Sequence, residues 1–315
     1  MKYIAMCAKG MEDITQLEID EILKVKSSVL IPGRVLFETK TVSKLIDKSQ
    51  SIIKLYELIQ ECKILDEVKA FDLKGTFRVS AVSDSMRSVD VEKKVGEIFF
   101  KLGNKVDLKN PEKTIFVEIV EGRIFLGIDM TPVLLSKREY RIKISNQSIN
   151  ACIAYGLVRL SGYNGKSIFL DCFGKDGILA IEALRYKKGK VYVVDELFSN
   201  VKSIEINAKL AGIRKDLNVS RVEVEWLDTK FQEGEVCCLA TIVPYVTRNT
   251  PEKDIRKIYE ELFYQLEFVM KKKGKMVFIA QDLTLLREMC KFKLISERNV
   301  ATSNLIYDVL IYEKK

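Results

Sequence analysis

Residues 166–183, KSIFLDCFGKDGILAIEA, constrain the fold more than any other stretch of the chain. A short apolar run ends in Asp171, a turn follows that holds Gly174 and Gly177, and a helical pattern then runs to Glu182. An apolar run closed by glycines and followed by a helix is typical of a strand, a tight loop and a crossover helix. Such a unit opens α/β sheets that bind a nucleotide-like ligand at the carboxyl ends of their strands. The C-terminal half is therefore predicted to be a domain of this class.

Length and composition predict two globular domains. The chain has 315 residues, and its hydrophobic fraction of 47% is enough for two cores. No run approaches the ~18 consecutive apolar residues of a membrane span, and acidic residues near the start argue against a signal peptide. The seven cysteines are scattered without a Cys-x-x-Cys pair. Reduced thiols, a cytoplasmic location and no membrane association are therefore expected.

Histidine is absent from the chain. Its absence excludes a Ser–His or Cys–His hydrolase and, with the scattered cysteines, predicts no metal site. The net charge of +8 suits a polyanionic partner such as nucleic acid. A charged fraction of 30% is also typical of an ordinary solvated surface, so charge alone leaves both interpretations open.

The first half alternates strand and helix patterns, which predicts small α+β units. The predicted elements are strands at 2–7, 34–38 and 75–83, helices at 11–24, 42–64 and 88–102, and a hairpin over 113–130. A basic segment, LLSKREYRIK, follows at 134–143.

The succession FRVSAVS, RSVDVEKKVG, NPEKTIFVEIVEGRIFLGID and LLSKREYR resembles a THUMP domain, a tRNA-binding module of RNA-modifying enzymes. The residues before it resemble the ferredoxin-like segment that accompanies this module. The resemblance implies a ferredoxin-like segment over 1–70 and a THUMP domain over 71–143 that grips tRNA. Arginine and lysine serve such contacts, because A-form RNA is recognised by its shape and phosphates. The candidate RNA-binding residues are Arg87, Lys93, Lys94, Lys137, Arg138 and Arg141; for any one of them a solvated surface position is the alternative.

The second half, 144–315, begins with a predicted linker helix at 146–160 and continues with five strand patterns and a closing hairpin. The predicted strands lie at 167–171, 191–195, 222–226, 236–242 and 275–280, and two more lie between 292 and 312. This order predicts a seven-stranded mixed sheet.

The residues at the strand ends resemble those of Rossmann-like S-adenosylmethionine-dependent methyltransferases. More narrowly, they are similar to the THUMP-linked family that methylates the exocyclic amine of a guanosine in tRNA. The family's DPFCGSGT…IEA stands here as DCFGKDGI…IEA, and its Asn-Pro-Pro-Tyr stands as Ile242-Val243-Pro244-Tyr245. A nicotinamide-dependent enzyme is the poorer interpretation, because the loop lacks G-x-G-x-x-G.

The resemblance implies a role for each matched position. Asp195 is expected to accept hydrogen bonds from the ribose hydroxyls of S-adenosylmethionine, and Asp228 from its adenine amine. Asp171 and the Gly174–Gly177 loop approach the amino-acid end. Tyr245 stacks on the target base, and Pro244 shapes that wall.

Several departures from the family pattern fall on the chemistry. Lys175 replaces the middle glycine of the loop, and Asp176 replaces its small hydroxylated neighbour. Ile242 replaces the catalytic asparagine and Val243 the first proline. Lys175 is expected either to fill cofactor space or to need a backbone conformation that glycine favours.

The sequence therefore predicts a tRNA-binding member of this family in which methyl transfer is weakened or lost, acting as a scaffold or as the RNA-gripping subunit of a protein partner. The alternative is an active tRNA guanosine-N2 methyltransferase with a divergent pocket. S-adenosylmethionine is expected to bind if the pocket is open.

Overall fold

The computed structural model describes residues 1–302 and 305–315, which form two compact units. The first unit comprises Met1–Cys7 and Thr15–Leu135, and the second comprises Ala8–Ile14 and Ser136–Lys315. Within the described ranges, no helix is both long enough and apolar enough to cross a membrane.

The first unit is built on one eight-stranded sheet. Its strands are β1 (Lys2–Met6), β2 (Ser27–Ile31), β3 (Arg34–Glu38), β4 (Lys54–Cys62), β5 (Thr76–Ser83), β6 (Lys105–Val106), β7 (Lys113–Val120) and β8 (Arg123–Asp129), and the helices in this part of the chain are α1 (Glu12–Leu23), α2 (Ser43–Lys48) and α3 (Ser88–Lys101). The strand order is β2-β3-β1-β4-β8-β7-β5-β6. Because β4 pairs with β8, strands from the predicted ferredoxin-like and THUMP segments share one sheet. A division at residue 70 remains our proposal.

The hairpin predicted over 113–130 is confirmed. Strands β7 and β8 are antiparallel and meet at Glu121 and Gly122, whose φ angles are +51° and +71°. Positive φ at both central residues matches the right-handed twist of the flanking strands, which is why such turns close hairpins.

The helix predicted over 42–64 is wrong for most of its length. Helix α2 ends at Lys48, and Lys54–Cys62 is the strand β4 between β1 and β8. The buried carboxylate of Glu18 accepts from the Ser49 hydroxyl at 2.6 Å and the Gln50 N–H at 2.8 Å. These hydrogen bonds stabilise a turn where the apolar pattern predicted a continued helix. Helix α2 therefore ends because of Glu18, an acid that is distant in the sequence.

The second unit contains the predicted seven-stranded mixed sheet, which is confirmed. Its strands are β9 (Ile168–Asp171), β10 (Val191–Asp195), β11 (Leu217–Arg221), β12 (Val236–Ile242), β13 (Met270–Ala280), β14 (Lys293–Ala301) and β15 (Ile306–Glu313), with helices α4 (Ala151–Leu160), α5 (Ile178–Tyr186), α6 (Phe198–Leu210), α7 (Glu252–Val269) and α8 (Thr284–Met289). The order is β11-β10-β9-β12-β13-β15-β14. The first five strands in this order pair in parallel, and β15 runs antiparallel to both of its neighbours.

Helices cover both faces of this sheet. Leu179 of α5 and Val193 of β10 belong to one buried cluster, whereas Leu266 of α7 and Phe278 of β13 belong to another. Strands buried on both faces are near-continuous apolar runs in the sequence. This explains why most strands of the second half were predicted from the sequence.

Two element boundaries in the second unit differ from the prediction. The third strand is Leu217–Arg221 instead of 222–226, and Val224–Thr229 is a short 3-10 helix. The linker helix begins at Ala151, because the Asn150 side chain caps it by accepting the Cys152 N–H at 2.8 Å. The shift of the third strand changes which acids reach the sheet edge.

Candidate functional site

A cavity of about 580 Å³ lies at the carboxyl ends of β9, β10 and β12. Cys172 and Phe173 follow β9, Asp195 ends β10, and Pro244 follows β12. The other lining residues are Ser145, Asn146, Gln147, Lys175, Glu196, Leu197, Asn200, Val222, Glu223, Val224, Glu225, Lys257, Ile258 and Glu261. Open α/β sheets bind ligands at this edge, and the volume suits a nucleoside-sized molecule.

The loop between β9 and α5 turns too sharply for side chains at its two glycines. A Cβ atom on Gly174 would lie 2.4 Å from Val193 Cγ2 and 2.8 Å from Ile204 Cδ1. Gly177 has a φ of +81°, in the left-handed region that glycine favours. Neither glycine is among the residues that line the cavity. Both therefore set the path of the loop.

Lys175 lies between these glycines with a φ of +51°. The expectation that this position needs a glycine-type backbone is confirmed. Its N–H donates to Asp195 Oδ2 at 2.9 Å, and its Nζ donates to Gln147 Oε1. Burial lowers the pKa of this lysine, and the charges of Asp195, Asp171 and Asp176 oppose that shift. Lys175, which is 8% exposed, forms part of the wall of an open cavity.

Asp195 stands at the tip of β10, as predicted, and lines the cavity. Its Oδ1 accepts the Leu197 N–H at 2.9 Å and the Asn200 side-chain amide at 3.0 Å, while its Oδ2 accepts the Lys175 N–H. A carboxylate offers about four acceptor positions, so Oδ2 keeps capacity for a further donor.

Asp171 is buried beneath the loop and is not among the cavity-lining residues. Its Oδ1 accepts the Thr241 hydroxyl at 2.7 Å and the Phe173 N–H at 3.4 Å. Burial, with a smaller contribution from Asp195, raises the pKa of Asp171 to about 7 against the opposing hydrogen bonds. The prediction of a direct ligand contact is therefore not met, since this carboxyl ties β9 to β12.

Asp228 lies elsewhere than predicted. It is exposed in the 3-10 helix, seven residues past the end of β11, and is not a cavity residue. Glu223 and Glu225 line the cavity instead. The sequence reasoning missed them because it placed the strand too late; ending that strand at Arg221 would have identified Glu223 as the first acid after it.

The end of β12 is aliphatic. Ile242 and Val243 are 5% and 1% exposed and belong to the two buried clusters. Pro244 lines the cavity, and its carbonyl accepts the Tyr259 hydroxyl. Tyr245 is half-buried and donates to Gln281 Oε1 at 3.0 Å, without lining the cavity. No side-chain acceptor stands at position 242.

Comparison with known families finds a match in each half of the chain. Residues 138–309, more than half of the chain, match the RMKL-like methyltransferase domain. The chain belongs to this family. Residues 54–129 match the THUMP domain. The RMKL-like domain therefore contains the cavity at the carboxyl ends of the strands.

Several relatives resemble the chain over nearly its whole length. The tRNA (guanine(6)-N2)-methyltransferase of Methanocaldococcus jannaschii is 22% identical over 97% of this chain and 98% of its own. The crystal structure of TrmN from Thermus thermophilus has a TM-score of 0.84 at 21% identity, covering 100% and 99% of the two chains. The crystal structure of SMU.472 complexed with SAH has a TM-score of 0.81 at 15% identity, covering 100% and 98%. The structural matches support the fold.

Two residues of the predicted RNA surface are engaged inside the RMKL-like domain. Arg138, with a side chain 5% exposed, pairs with buried Glu182 at 3.0 Å, and Arg141 pairs with buried Asp176 at 3.3 Å. The prediction that these guanidinium groups face RNA is therefore wrong. Asp176 Oδ1 has no hydrogen-bond partner in the described part of the chain. The remaining candidates, Arg87, Lys93, Lys94 and Lys137, are exposed.

Asp171→Asn is expected to change the pH dependence of stability. Below pH 3.8 the carboxyl is protonated in the folded and unfolded chain alike; between 3.8 and about 7 only the unfolded chain ionises, so the free energy of unfolding falls as pH rises. The asparagine side chain does not ionise, so this loss of stability with rising pH is removed. Its Oδ1 still accepts a hydrogen bond from the Thr241 hydroxyl. The variant should thus gain stability over the wild type from pH 5 to pH 7 in urea titrations, by roughly 1–3 kcal/mol. Asp228→Asn, which changes an exposed acid, is the control. A difference between Asp171→Asn and wild type that does not vary with pH contradicts the assignment.

Proposed function

We propose that the chain binds S-adenosylmethionine in the cavity, holds a tRNA through its THUMP domain, and methylates the exocyclic amine of a guanosine. The observation that carries this proposal is the open cavity with Asp195 at the tip of β10. The relative from Methanocaldococcus jannaschii, which spans almost the whole chain, supports the same substrate class by its name.

The residues of the cavity fit such a cofactor. Asp195 Oδ2 has acceptor capacity for ribose hydroxyls, and Glu223 and Glu225 supply acceptors for an adenine amine beyond β11. The wall carries more acidic than basic side chains, which suits a ligand with a sulfonium charge. S-adenosylmethionine, when bound, supplies an electrophilic methyl group.

The far wall, after β12, suits a nucleobase. Pro244 lines the cavity, and the next residue, Tyr245, supplies the aromatic side chain that would stack on the base. A guanosine must leave its helix to reach such a site, and stacking on an aromatic side chain offsets part of the unstacking free energy.

Binding without efficient transfer is the second candidate function, and Ile242 favours it. The family asparagine at this position implies an acceptor that aligns the attacking amine, and the isoleucine side chain has none. Loss of one such contact typically costs about 2–4 kcal/mol of transition-state stabilisation. On this reading the chain grips tRNA and the cofactor but turns over slowly.

Asp195→Asn should weaken S-adenosylmethionine binding by about tenfold or more, because an amide nitrogen cannot accept from ribose. Isothermal titration calorimetry of the full chain measures this change, and thermal unfolding checks that the variant is folded. Asp216→Asn, which neutralises an exposed acid outside the cavity, should bind like the wild type. Equal affinity in Asp195→Asn and wild type, or no binding by the wild type, argues against the cofactor site.

Lys93→Glu with Lys94→Glu, on exposed positions of α3, should weaken tRNA binding and flatten its salt dependence. Two lost phosphate contacts reduce the slope of log affinity against log salt by roughly 2. Fluorescence anisotropy with a labelled tRNA transcript at several salt concentrations gives both quantities. Lys271→Glu with Lys272→Glu, an equal charge change at exposed positions outside the THUMP domain, should keep the wild-type slope. If the α3 variant also keeps it, this helix does not bind RNA.

Ile242→Asn should raise the single-turnover rate of methyl transfer to tRNA by about 30–900-fold, the equivalent of about 2–4 kcal/mol, since it restores an acceptor at the end of β12. Ile242→Val keeps an aliphatic side chain and should match the wild type. Rates are measured with radiolabelled S-adenosylmethionine at saturating enzyme and below the unfolding temperature of the variant. A wild type that already transfers as fast as a folded, cofactor-binding Ile242→Asn variant eliminates the second candidate.

A further inference from the structure

We infer that Lys175 makes the cavity selective for ligands that carry a carboxylate at the end beside β9, and that it binds the α-carboxylate of the cofactor's amino-acid part. This inference rests on the proposed function and adds a residue that the family pattern does not provide, because the family has glycine here.

The order of the strands sets the order of the ligand's parts along the cavity. Strands β11, β10 and β9 are neighbours in that sequence. The wall after β11 holds Glu223 and Glu225, the wall at β10 holds Asp195, and the wall after β9 holds Lys175. A ligand whose adenine lies at the wall after β11 and whose ribose lies at the β10 wall places its amino-acid part at the wall after β9. The amino-acid part therefore contacts Lys175.

The Lys175 ammonium has unused donors. An ammonium offers three N–H groups, and Gln147 Oε1 accepts one of them. Among the described residues, Nζ makes no other hydrogen bond, and Gln147 itself lines the cavity. Two donors thus remain at the cavity wall for a ligand.

The charges of the wall leave few places for an anionic group. Its carboxylates belong to Asp195, Glu196, Glu223, Glu225 and Glu261, and its cations are Lys175 and Lys257. Lys257 is exposed on α7, whereas Lys175 is almost fully buried. Because a desolvated ion pair is stronger than an exposed one, a ligand carboxylate is held at Lys175.

The backbone at Lys175 is held independently of the side chain. Its N–H donates to Asp195 Oδ2, so the ammonium stem starts from a fixed point beside the proposed ribose acceptor. A lysine in the left-handed region is less favourable than a glycine, which has no Cβ atom to clash there. The side chain therefore stands in the cavity wall at a conformational cost, although glycine would satisfy the loop.

Two ligands that differ by one carboxylate test the inference. S-adenosylmethionine and its decarboxylated form share the adenosine, the sulfonium and the amine. By calorimetry on the full chain, the wild type should bind S-adenosylmethionine about tenfold or more tightly than the decarboxylated form, the range of one charge-assisted contact. In Lys175→Met the ratio should fall to about one or reverse, because the acidic wall then favours the more cationic ligand.

Matched variants separate this effect from general charge and from folding. Lys257→Met removes the same charge from an exposed position of the same cavity and should lower the ratio much less than Lys175→Met does. Lys175→Gly suits the left-handed backbone and should lose the ratio as Lys175→Met does, so the test does not depend on the methionine variant folding. An unchanged ratio in both Lys175 variants overturns the inference while leaving the cofactor site intact. Tighter S-adenosylmethionine binding in those variants also overturns the inference, because it shows that the Lys175 side chain occupies space that the ligand needs. Failure of the wild type to bind either ligand rejects the proposed function itself.

Discussion

The hydrogen bond from the Lys175 N–H to the Asp195 carboxylate, at 2.9 Å, joins the first loop of the RMKL-like domain to the tip of its second strand. The same carboxylate also accepts hydrogen bonds from the Leu197 N–H and the Asn200 side chain, both of which lie in the segment that follows β10. One acid therefore holds two loops at the sheet edge where the cavity opens. Because the bond uses a backbone donor, it does not depend on which side chain stands at position 175.

The fold of this domain and its chemistry depend on different atoms. Both faces of the sheet are buried by apolar side chains, and Ile242 and Val243 extend that pattern to the last residues of β12. An aliphatic pair at a strand end is stabilising for the core, since buried polar side chains without partners are costly. The family resemblance instead implies a polar acceptor there for methyl transfer. The replacements at the end of β12 are thus compatible with a stable sheet while removing an acceptor from its edge.

The sequence was most informative where a local rule decided the outcome. Gly174 and Gly177 predicted the sharp loop, because steric exclusion and positive φ act within a few residues. The error at the third strand has a physical cause: alternating Val222, Val224 and Trp226 fit a strand pattern, but pairing with β10 ends at Arg221. Pairing is a tertiary property that periodicity does not contain. Glu223 and Glu225 were missed at the cavity for that reason alone.

Long-range charge pairing was the other limit. Arg138 and Arg141 stand in a basic segment beside exposed Lys137, and nothing local distinguishes them from RNA-binding residues. Their partners, Glu182 and Asp176, are 44 and 35 residues away along the chain. A buried carboxylate requires a cation or several donors, so each of these acids removes one arginine from the surface. A count of basic residues in the sequence thus overestimates the positive charge available to RNA, because some of these residues pair with buried acids. The number of such pairs can be read only from the packed structure.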